Sequence, residues 1–430
     1  MFPSLKSSLP MLGDSPTKDK DLLQFGRYVK PLVDVIRDPL TDTPFTIGVF
    51  GRWGSGKTTL MQMVADKLEG FPIIWFNPWQ YQSEDNLLVP LLHTIHDSLM
   101  ESKVESFKQV AKMVAVVAAQ ISASVLMKHL TMEKVSFEEI EKRIQAYTDK
   151  RGATLSAIRT LRTQLQGVVD KMTEGGTIPD RDERNIRLVI FIDDLDRCVP
   201  PKIIALLEAV KLFLDLKHTV LFLAIDRDVV EQGIRVFYKD LGVLQQDQLS
   251  WITADYLDKM IQLPLFLYPL GADKIGAYLH DLSEAPDLVE QQALFKAALI
   301  PNPRKIKRIL NIYRLNVCVS GWLGSGDDHK QKRALLAKLV IIQQQWEDLY
   351  RAILVHHKLP CALERVYGNS KETRLYINNM DDWTYLGEEM QAVHAVCKSY
   401  YQPSTPIEGL FTASPAFGDT DLKEYLYMLG

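Results

Sequence analysis

The sequence FTIGVFGRWGSGKT occupies residues 45–58 and contains the pattern GxxxxGK[ST] directly after a short apolar run. Residues 45–50 are rich in strand-forming side chains and follow a proline, so they predict a short buried strand. Apolar residues recur at helical spacing between Thr59 and Leu68 and predict a helix after the loop. A glycine-rich loop in this position binds phosphate, because its backbone N–H groups point inward at a helix N-terminus. An ordinary glycine-rich turn is the alternative, and the strand–loop–helix context argues against it.

This loop supplies most of the candidate ligand-binding residues. Lys57 has the reach to contact the β- and γ-phosphates of a nucleotide, and the Thr58 hydroxyl is placed to bind Mg2+. The candidate nucleotide-binding residues of the loop are Gly51, Arg52, Trp53, Gly54, Ser55, Gly56, Lys57, Thr58 and Thr59.

A second motif, VIFIDDLDR at residues 189–197, places Asp193 at the end of a buried strand. There Asp193 is positioned to hold Mg2+ through water, together with Thr58. Asp194 is the candidate to polarise an attacking water. Two adjacent carboxylates repel each other and so favour a metal site, with an acidic turn after a strand as the alternative. Two interpretations of Arg197 stay open: an arginine finger for a neighbour's γ-phosphate, or an ion pair with Asp196.

Three further charged residues are candidates for contact with the phosphates. Asp226 follows the apolar run at 220–225 and is either a γ-phosphate sensor acting through water or a helix N-cap. Arg304 and Arg308 lie in a basic helix that opens near Asn302, and either is a candidate to reach the phosphates from a lid. A solvent-facing basic helix and a nucleic-acid surface are the alternatives for this helix.

Strands and helices alternate along the rest of the N-terminal two thirds. Further apolar runs predict strands at 73–76, 188–192 and 220–225, with a helix at 203–214. This alternation predicts an α/β domain with a doubly wound parallel sheet. Trp79 and Tyr81, which follow the second strand, are expected to be core anchors, with a base-stacking platform as the alternative.

The organisation of the chain follows from these elements. Residues 84–184 show no strong strand pattern, and the sequence after residue 269 is helical in character. The predicted segments are an N-terminal arm (1–20), the first part of the core (21–100), a helical insertion (101–184), the second part of the core (185–270), a helical lid (271–355) and a C-terminal tail (356–430).

The 430 residues carry 50 Lys and Arg against 54 Asp and Glu, which gives a formal net charge of −4 and argues against a protein that coats nucleic acid. Four scattered cysteines form no CxxC pair, and no signal peptide is visible, so a reducing, cytoplasmic location is expected. The most apolar stretch, 110–127, is interrupted by Lys112 and is shorter than the ~20 residues that cross a bilayer. A buried or oligomer-facing helix is therefore expected there, with membrane contact as the alternative.

Taken together, the motifs resemble a KAP-family P-loop NTPase, a family related to the AAA+ and STAND ATPases. The resemblance covers roughly residues 14–355 and includes the unusual Trp53 in the phosphate loop. It is carried by FTIGVFGRWGSGKTTLM (45–61), WFNPW (75–79), DDLDR (193–197), YLDKMIQLP (256–264), NPRKIKR (302–308) and LVIIQQQW (339–346).

The resemblance implies a P-loop NTPase fold with a parallel sheet in the order 5-1-4-3-2, a helical insertion between the two nucleotide motifs and a C-terminal helical lid. It also implies ATP and Mg2+ as ligands, and a role as a regulatory switch or in phage exclusion. Leu22 and Leu23 lie where relatives contact the adenine, so the resemblance implies that they line that pocket. Many relatives carry transmembrane helices in the insertion, where this sequence has only the 110–127 stretch.

We therefore expect an Mg2+-dependent, ATP-hydrolysing molecular switch, a regulatory or antiviral defence ATPase whose self-association is controlled by nucleotide. Its candidate catalytic residues are Lys57, Asp193, Asp194 and Arg197. The expected partners are further copies of the chain, or a protein that binds the helical insertion. A nucleic-acid-stimulated motor or loader is the alternative function, and an ATP-bound scaffold without hydrolysis is the second alternative.

Overall fold

The computed structural model describes residues 11–13, 21–84, 87–100, parts of 163–173, 186–199, parts of 202–210, 216–240, 257–267, 271, 274–282, 285–322, 326–368, 405–418 and 420–429. The chain divides into two compact units. The sheet unit is Gln24–Leu267, and the helical unit is Met1–Leu23 together with Tyr268–Gly430.

The sheet unit contains five parallel strands, in the spatial order β2-β3-β4-β1-β5. The strands are β1 (Phe45–Phe50), β2 (Ile73–Phe76), β3 (Leu188–Ile192), β4 (Thr219–Ile225) and β5 (Leu263–Phe266). Counted from the other edge, this is the order 5-1-4-3-2, so the predicted fold class is confirmed. Every residue of the central strands β3 and β4 is buried, as their continuous apolar sequences indicate.

The strand β5 was not indicated by the residue pattern, although the family resemblance implied a fifth strand. It has only four residues, and Pro264 and Phe266 are exposed in alternation with half-buried neighbours. An edge strand tolerates a proline, because the missing N–H need not face a partner strand.

Helices of the sheet unit precede or follow these strands. With bounds they are α1 (Gly26–Arg37), α2 (Lys57–Ala65), α3 (Leu88–Met100) and α4 (Arg227–Asp240). The described residues within 163–173 and 202–210 are also helical. The rest of the predicted insertion, including the apolar stretch 110–127, lies outside the described residues. In the part of the chain that the structure describes, no helix has the length and apolar character needed to cross a membrane.

The helical unit has its own hydrophobic core. Its helices are α5 (Ile275–Leu282), α6 (Pro286–Glu290), α7 (Gln292–Ala298), α8 (Pro303–Ser320), α9 (Asp327–Gln345), α10 (Glu347–Val355), α11 (Leu359–Tyr367), α12 (Thr405–Thr412) and α13 (Lys423–Leu429). The helix predicted near Asn302 is α8, and the Asn302 side chain caps it by accepting a hydrogen bond from the Lys305 N–H.

Buried polar contacts tie distant segments into this core. Lys338 on α9 is completely buried and pairs with Glu364 on α11 at 3.1 Å, and burial lowers the pKa of Lys338. Glu364 also accepts hydrogen bonds from the backbone N–H of Phe417 and of Gly418. Residues of the predicted lid and of the predicted tail therefore share one core.

Candidate nucleotide-binding site

The loop between β1 and α2 spans residues 51–56 and depends on its glycines. Gly54 and Gly56 have φ values of 80° and 96°, in the left-handed region that favours glycine. At Gly51, an added Cβ would lie 2.5 Å from the Ser55 hydroxyl oxygen, so the Ser55 side chain would have to move out of its place in the loop. The glycine pattern of the sequence therefore corresponds to the backbone path that the loop takes.

Lys57, the first residue of α2, points back into this loop. Its Nζ donates to the carbonyl oxygen of Gly51 at 2.8 Å and to Asp196 Oδ2 at 3.0 Å. Both charged side chains are almost completely buried. The ion pair between them offsets much of the free energy that each loses when it leaves water. The loop lysine is thus held by a carboxylate that the sequence did not identify as its partner.

At the end of β3, Asp193 is buried beside the loop. Burial raises the pKa of its carboxyl group above the usual range, and the charge of Asp194 adds to this effect. A hydrogen bond with the Thr58 side chain acts in the opposite direction. A carboxylate beside a hydroxyl group is a donor pair that suits Mg2+.

An unsatisfied polar atom also lies in the loop. The Ser55 hydroxyl oxygen is buried and has no hydrogen-bond partner among the described residues. A buried polar group without a partner costs free energy, and a phosphate oxygen would supply the missing partner. The residues present therefore fit a phosphate group together with Mg2+.

Asp194 is held in an uncommon conformation. Its φ of 55° and ψ of 27° lie in the left-handed region, at a cost of about 1–3 kcal/mol for a non-glycine residue. Its N–H donates to Asp193 Oδ1 at 2.9 Å. Its carboxylate accepts a hydrogen bond from Asn77 Nδ2 at 2.8 Å and pairs with Arg197 Nε at 2.8 Å. Two side-chain contacts thus fix this carboxylate at the edge of the sheet, and a third contact holds the backbone of the same residue.

The guanidinium group of Arg197 lies against two tryptophan rings. Its Cζ is 5.9 Å from the ring centroid of Trp53 and 5.4 Å from that of Trp79. We call Trp53, Arg197 and Trp79 the tryptophan clamp. Of the two interpretations of Arg197 that the sequence left open, the ion pair forms with Asp194, whereas Asp196 pairs with Lys57.

The expectation that Trp79 and Tyr81 both anchor the core is wrong for Trp79. Trp79 is 46% exposed, because it stands in the short 3₁₀ turn Pro78–Tyr81 at the end of β2 and faces Arg197. Tyr81 stacks on Phe76 at 5.6 Å and packs against the core of the sheet unit.

Asp226 joins the end of β4 to the phosphate loop. It is buried, and its Oδ2 accepts a hydrogen bond from the Trp53 N–H at 3.2 Å. The N–H of Gly51 donates to the carbonyl oxygen of Ile225 at 3.1 Å. Asp226 therefore supports the loop backbone, and its predicted role as a γ-phosphate sensor stays a prediction.

The remaining predicted residues are placed as follows. On the sheet unit, Arg52 is exposed and Thr59 is half-buried. On the helical unit, Leu22 and Leu23 pack against the hydrophobic core, and Arg304 and Arg308 lie near the start of α8, half-buried and exposed respectively.

Sequence reasoning missed Asn77, Asp196 and Trp79 as members of this site. A signal for Asn77 was available: it follows the buried strand β2 as Asp193 follows the neighbouring strand β3. Because the carboxyl ends of parallel strands meet at one edge of a sheet, polar residues directly after such strands lie close together.

Comparison with known proteins gives one family. A family model described as "KAP family P-loop domain" matches residues 25–320 of the chain. The Kinase D-interacting substrate of 220 kDa from Rattus norvegicus and that from Homo sapiens are each 34% identical to this chain over 58 residues. Those residues are 13% of this chain and 3% of either relative.

Two solved structures align with most of the chain, at low TM-score and low sequence identity. The Orc1 protein of Aeropyrum pernix, solved in complex with DNA, has a TM-score of 0.37 and 12% identity, with 92% of this chain and 83% of that one covered. The Cdc6p protein of Pyrobaculum aerophilum has a TM-score of 0.38 and 15% identity, with 93% and 89% covered.

Proposed function

The chain belongs to the KAP family of P-loop NTPases, and from that premise we propose that it hydrolyses ATP as a molecular switch. The observation that carries this proposal is the convergence of the phosphate loop and the acidic end of β3. Lys57 and Thr58 from the loop lie in hydrogen-bonding contact with Asp196 and Asp193 respectively. The proposed phosphate-binding and metal-binding groups thus lie together at one edge of the sheet, an arrangement that supports phosphoryl transfer.

In this proposal the loop binds the phosphates and the acidic end of β3 holds the metal. Lys57, the Ser55 hydroxyl and the loop N–H groups contact phosphate oxygens, and Thr58 and Asp193 hold Mg2+. When bound, Mg2+ neutralises the negative charge of the phosphates. Burial raises the pKa of Asp193. A cation bound beside this residue would lower that pKa again, because a nearby positive charge favours the ionised carboxylate.

Asp194 is the proposed partner of the attacking water. Its carboxylate accepts a hydrogen bond from the water and orients it toward the γ-phosphate. Asn77 and Arg197 contact one carboxylate oxygen each, so they fix the direction of this group. A fixed carboxylate needs no reorganisation during the reaction, which is the main advantage of such preorganised sites.

The family resemblance supports the biological part of the proposal. A regulatory or antiviral role, with self-association controlled by ATP, accords with the family to which the chain belongs. Arg304 and Arg308 on α8 are the proposed contacts from the helical unit to the nucleotide, and Leu22 and Leu23 the proposed contacts to adenine.

Release of phosphate from ATP by the purified chain tests this function. Lys57→Ala removes the buried ammonium group, so we expect it to abolish ATP binding and turnover. Lys30→Ala is the matched control, because the Lys30 side chain is 83% exposed on α1 and is expected to have no effect. A Lys57→Ala variant with the parent rate would contradict the assignment of the loop.

The effect of nucleic acid on the ATPase rate distinguishes the proposed switch from the alternative functions. An ATPase rate that DNA or RNA stimulates, with a steep loss as salt increases, would favour the motor or loader instead. A folded chain that retains intact ATP without turnover would favour the non-hydrolysing scaffold.

A further inference from the structure

We propose that Trp53 and Trp79 are positioning residues that hold Arg197 beside the phosphate loop of its own chain, so that Arg197 contacts the γ-phosphate in cis. This inference rests on the proposed function, since it assigns the source of a positive charge in the same site.

The clamp has the geometry of a double cation–π contact. Both ring centroids lie within the ~6 Å over which a guanidinium group is attracted to an aromatic face. Tryptophan is the aromatic side chain that gives the strongest contact of this kind. Because Trp53 belongs to the phosphate loop itself, this contact brings Arg197 to the mouth of the loop.

Core packing does not account for the two rings. Trp53 is 58% exposed and Trp79 is 46% exposed, whereas Trp75 in β2 stacks on Phe191 at 5.0 Å. An exposed indole ring loses the favourable free energy of burial that normally makes a tryptophan stabilising. What Trp53 and Trp79 share is the guanidinium group of Arg197.

Contacts at the edge of the sheet anchor each member of the clamp. The backbone N–H of Trp53 donates a hydrogen bond to the carboxylate of Asp226, which follows β4. The backbone N–H of Trp79 donates to Asn77 Oδ1 at 3.1 Å. The side-chain Nδ2 of Asn77 donates to Asp194 Oδ2 at 2.8 Å. Asn77 thus couples the turn that carries Trp79 to the carboxylate that pairs with Arg197. The clamp is fixed to the ends of β2, β3 and β4.

The same contacts favour action within one chain. An arginine finger for a neighbouring subunit must extend away from its own site, but the Arg197 side chain is only 32% exposed. Its Nε contacts the Asp194 carboxylate of the same chain. A guanidinium group carries four further N–H donors on its terminal nitrogens, and these are the groups that a phosphate oxygen would meet.

Mixing two impaired variants tests whether Arg197 acts in cis. Arg197→Ala keeps the phosphate loop, and Lys57→Ala keeps Arg197 but does not bind nucleotide. If Arg197 acts in cis, an equimolar mixture has no more ATPase activity than the two variants measured separately. Recovery of activity in the mixture would overturn the proposal, because it would show that Arg197 serves a neighbouring chain.

The role of the tryptophans is tested by kcat and KM. We expect Trp79→Ala to lower kcat about tenfold, or about 1.4 kcal/mol, and to raise KM for ATP, because Arg197 contacts the γ-phosphate of bound ATP as well. Trp79→Phe keeps an aromatic face and is expected to restore most of the rate. Tyr427→Ala is the control, because Tyr427 is 91% exposed on the helical unit and its removal is expected to leave kcat unchanged.

A double variant separates positioning from a merely structural effect. If Trp79 acts through Arg197, Trp79→Ala costs little further activity once Arg197→Ala is present. Equal losses in the presence and absence of Arg197 would overturn the proposal, as would a Trp79→Ala variant with the parent kcat.

Nucleotide binding distinguishes this inference from the function on which it rests. We expect the parent to bind ATP more tightly than ADP and Arg197→Ala to lose that preference, measured by isothermal titration calorimetry. An unchanged preference in Arg197→Ala overturns the inference alone. A parent chain that neither binds nor hydrolyses ATP overturns the proposed function itself.

Discussion

Asp196 and a nucleotide compete for the same positive charge. The Lys57 ammonium group lies 3.0 Å from Asp196 Oδ2, and it is also the proposed partner of the phosphates. A phosphate therefore meets a lysine whose charge is already partly neutralised. Because a buried ion pair is costly to break, Asp196 stabilises the loop without ligand while it weakens the affinity for ligand.

Replacement of Asp196 by asparagine separates these two effects. We expect Asp196→Asn to tighten ATP binding about fivefold, roughly 1 kcal/mol, and to lower the free energy of unfolding by on the order of 3 kcal/mol. Calorimetric titration gives the affinity, and urea unfolding gives the stability. Asp34→Asn is the control, because its ion pair with Lys30 is exposed and contributes little. Weaker ATP binding with unchanged stability would instead assign Asp196 to direct contact with the nucleotide or the metal.

The residues of the candidate site fall into two groups: those that a short sequence pattern predicts, and those whose partners are distant in the sequence. The loop residues and Asp193 are predicted from the sequence, because their pattern is contained in short segments before and after strands. The pair of Lys57 with Asp196 spans 139 positions, and that of Asn77 with Asp194 spans 117. Such partners depend on which strands are neighbours in the sheet, which the residue pattern of a single strand does not determine.

At the scale of elements, α12 packs against α7 through its backbone. Gly409 on α12 lies so close to α7 that an added Cβ would overlap the carbonyl oxygen of Ala297. A backbone carbonyl within a helix cannot move aside as a flexible side chain can. The absence of a side chain at this position therefore sets how closely the two helices approach.

Adding one methyl group tests this contact. We expect Gly409→Ala to lower the free energy of unfolding by about 1–3 kcal/mol, because overpacking exceeds the gain of up to ~1 kcal/mol in helix propensity. Gly276→Ala on α5 is the control: its Cβ would contact only the flexible side chain of Lys296, at 3.4 Å, and the gain in helix propensity is the same. Urea unfolding measures both variants. A Gly409→Ala variant as stable as Gly276→Ala would contradict the close packing.

Element boundaries show where the sequence pattern is sufficient. The runs at 45–50, 73–76 and 188–192 coincide with β1, β2 and β3, because buried strands are continuous in apolar character. The helix α2 begins at Lys57 rather than at the predicted Thr59. Its first turn consists of phosphate-loop residues, whose types are dictated by ligand binding and carry no apolar periodicity.

At the scale of the whole molecule, each unit has a separate hydrophobic core. One core contains residues from the five-stranded sheet and the helices beside it, and the other contains residues from 275 to 426. Units with separate cores commonly unfold as separate cooperative transitions. The phosphate loop belongs to the sheet unit, whereas Arg304 and Arg308 belong to the helical unit. Thermal unfolding therefore distinguishes a nucleotide that contacts one unit from a nucleotide that contacts both.

ATP at a hundred times its dissociation constant stabilises the unit that binds it by about 2.7 kcal/mol. If Arg304 or Arg308 contacts the γ-phosphate, we expect ATP to raise the melting temperature of the helical unit more than ADP does, in differential scanning calorimetry, because only ATP carries that phosphate. Arg304→Ala or Arg308→Ala then removes this difference between ATP and ADP, whereas Lys305→Ala, an exposed neighbour, retains it. A melting temperature of the helical unit that is the same with ATP and with ADP would exclude the proposed lid contact, because a ligand stabilises only the structure it binds.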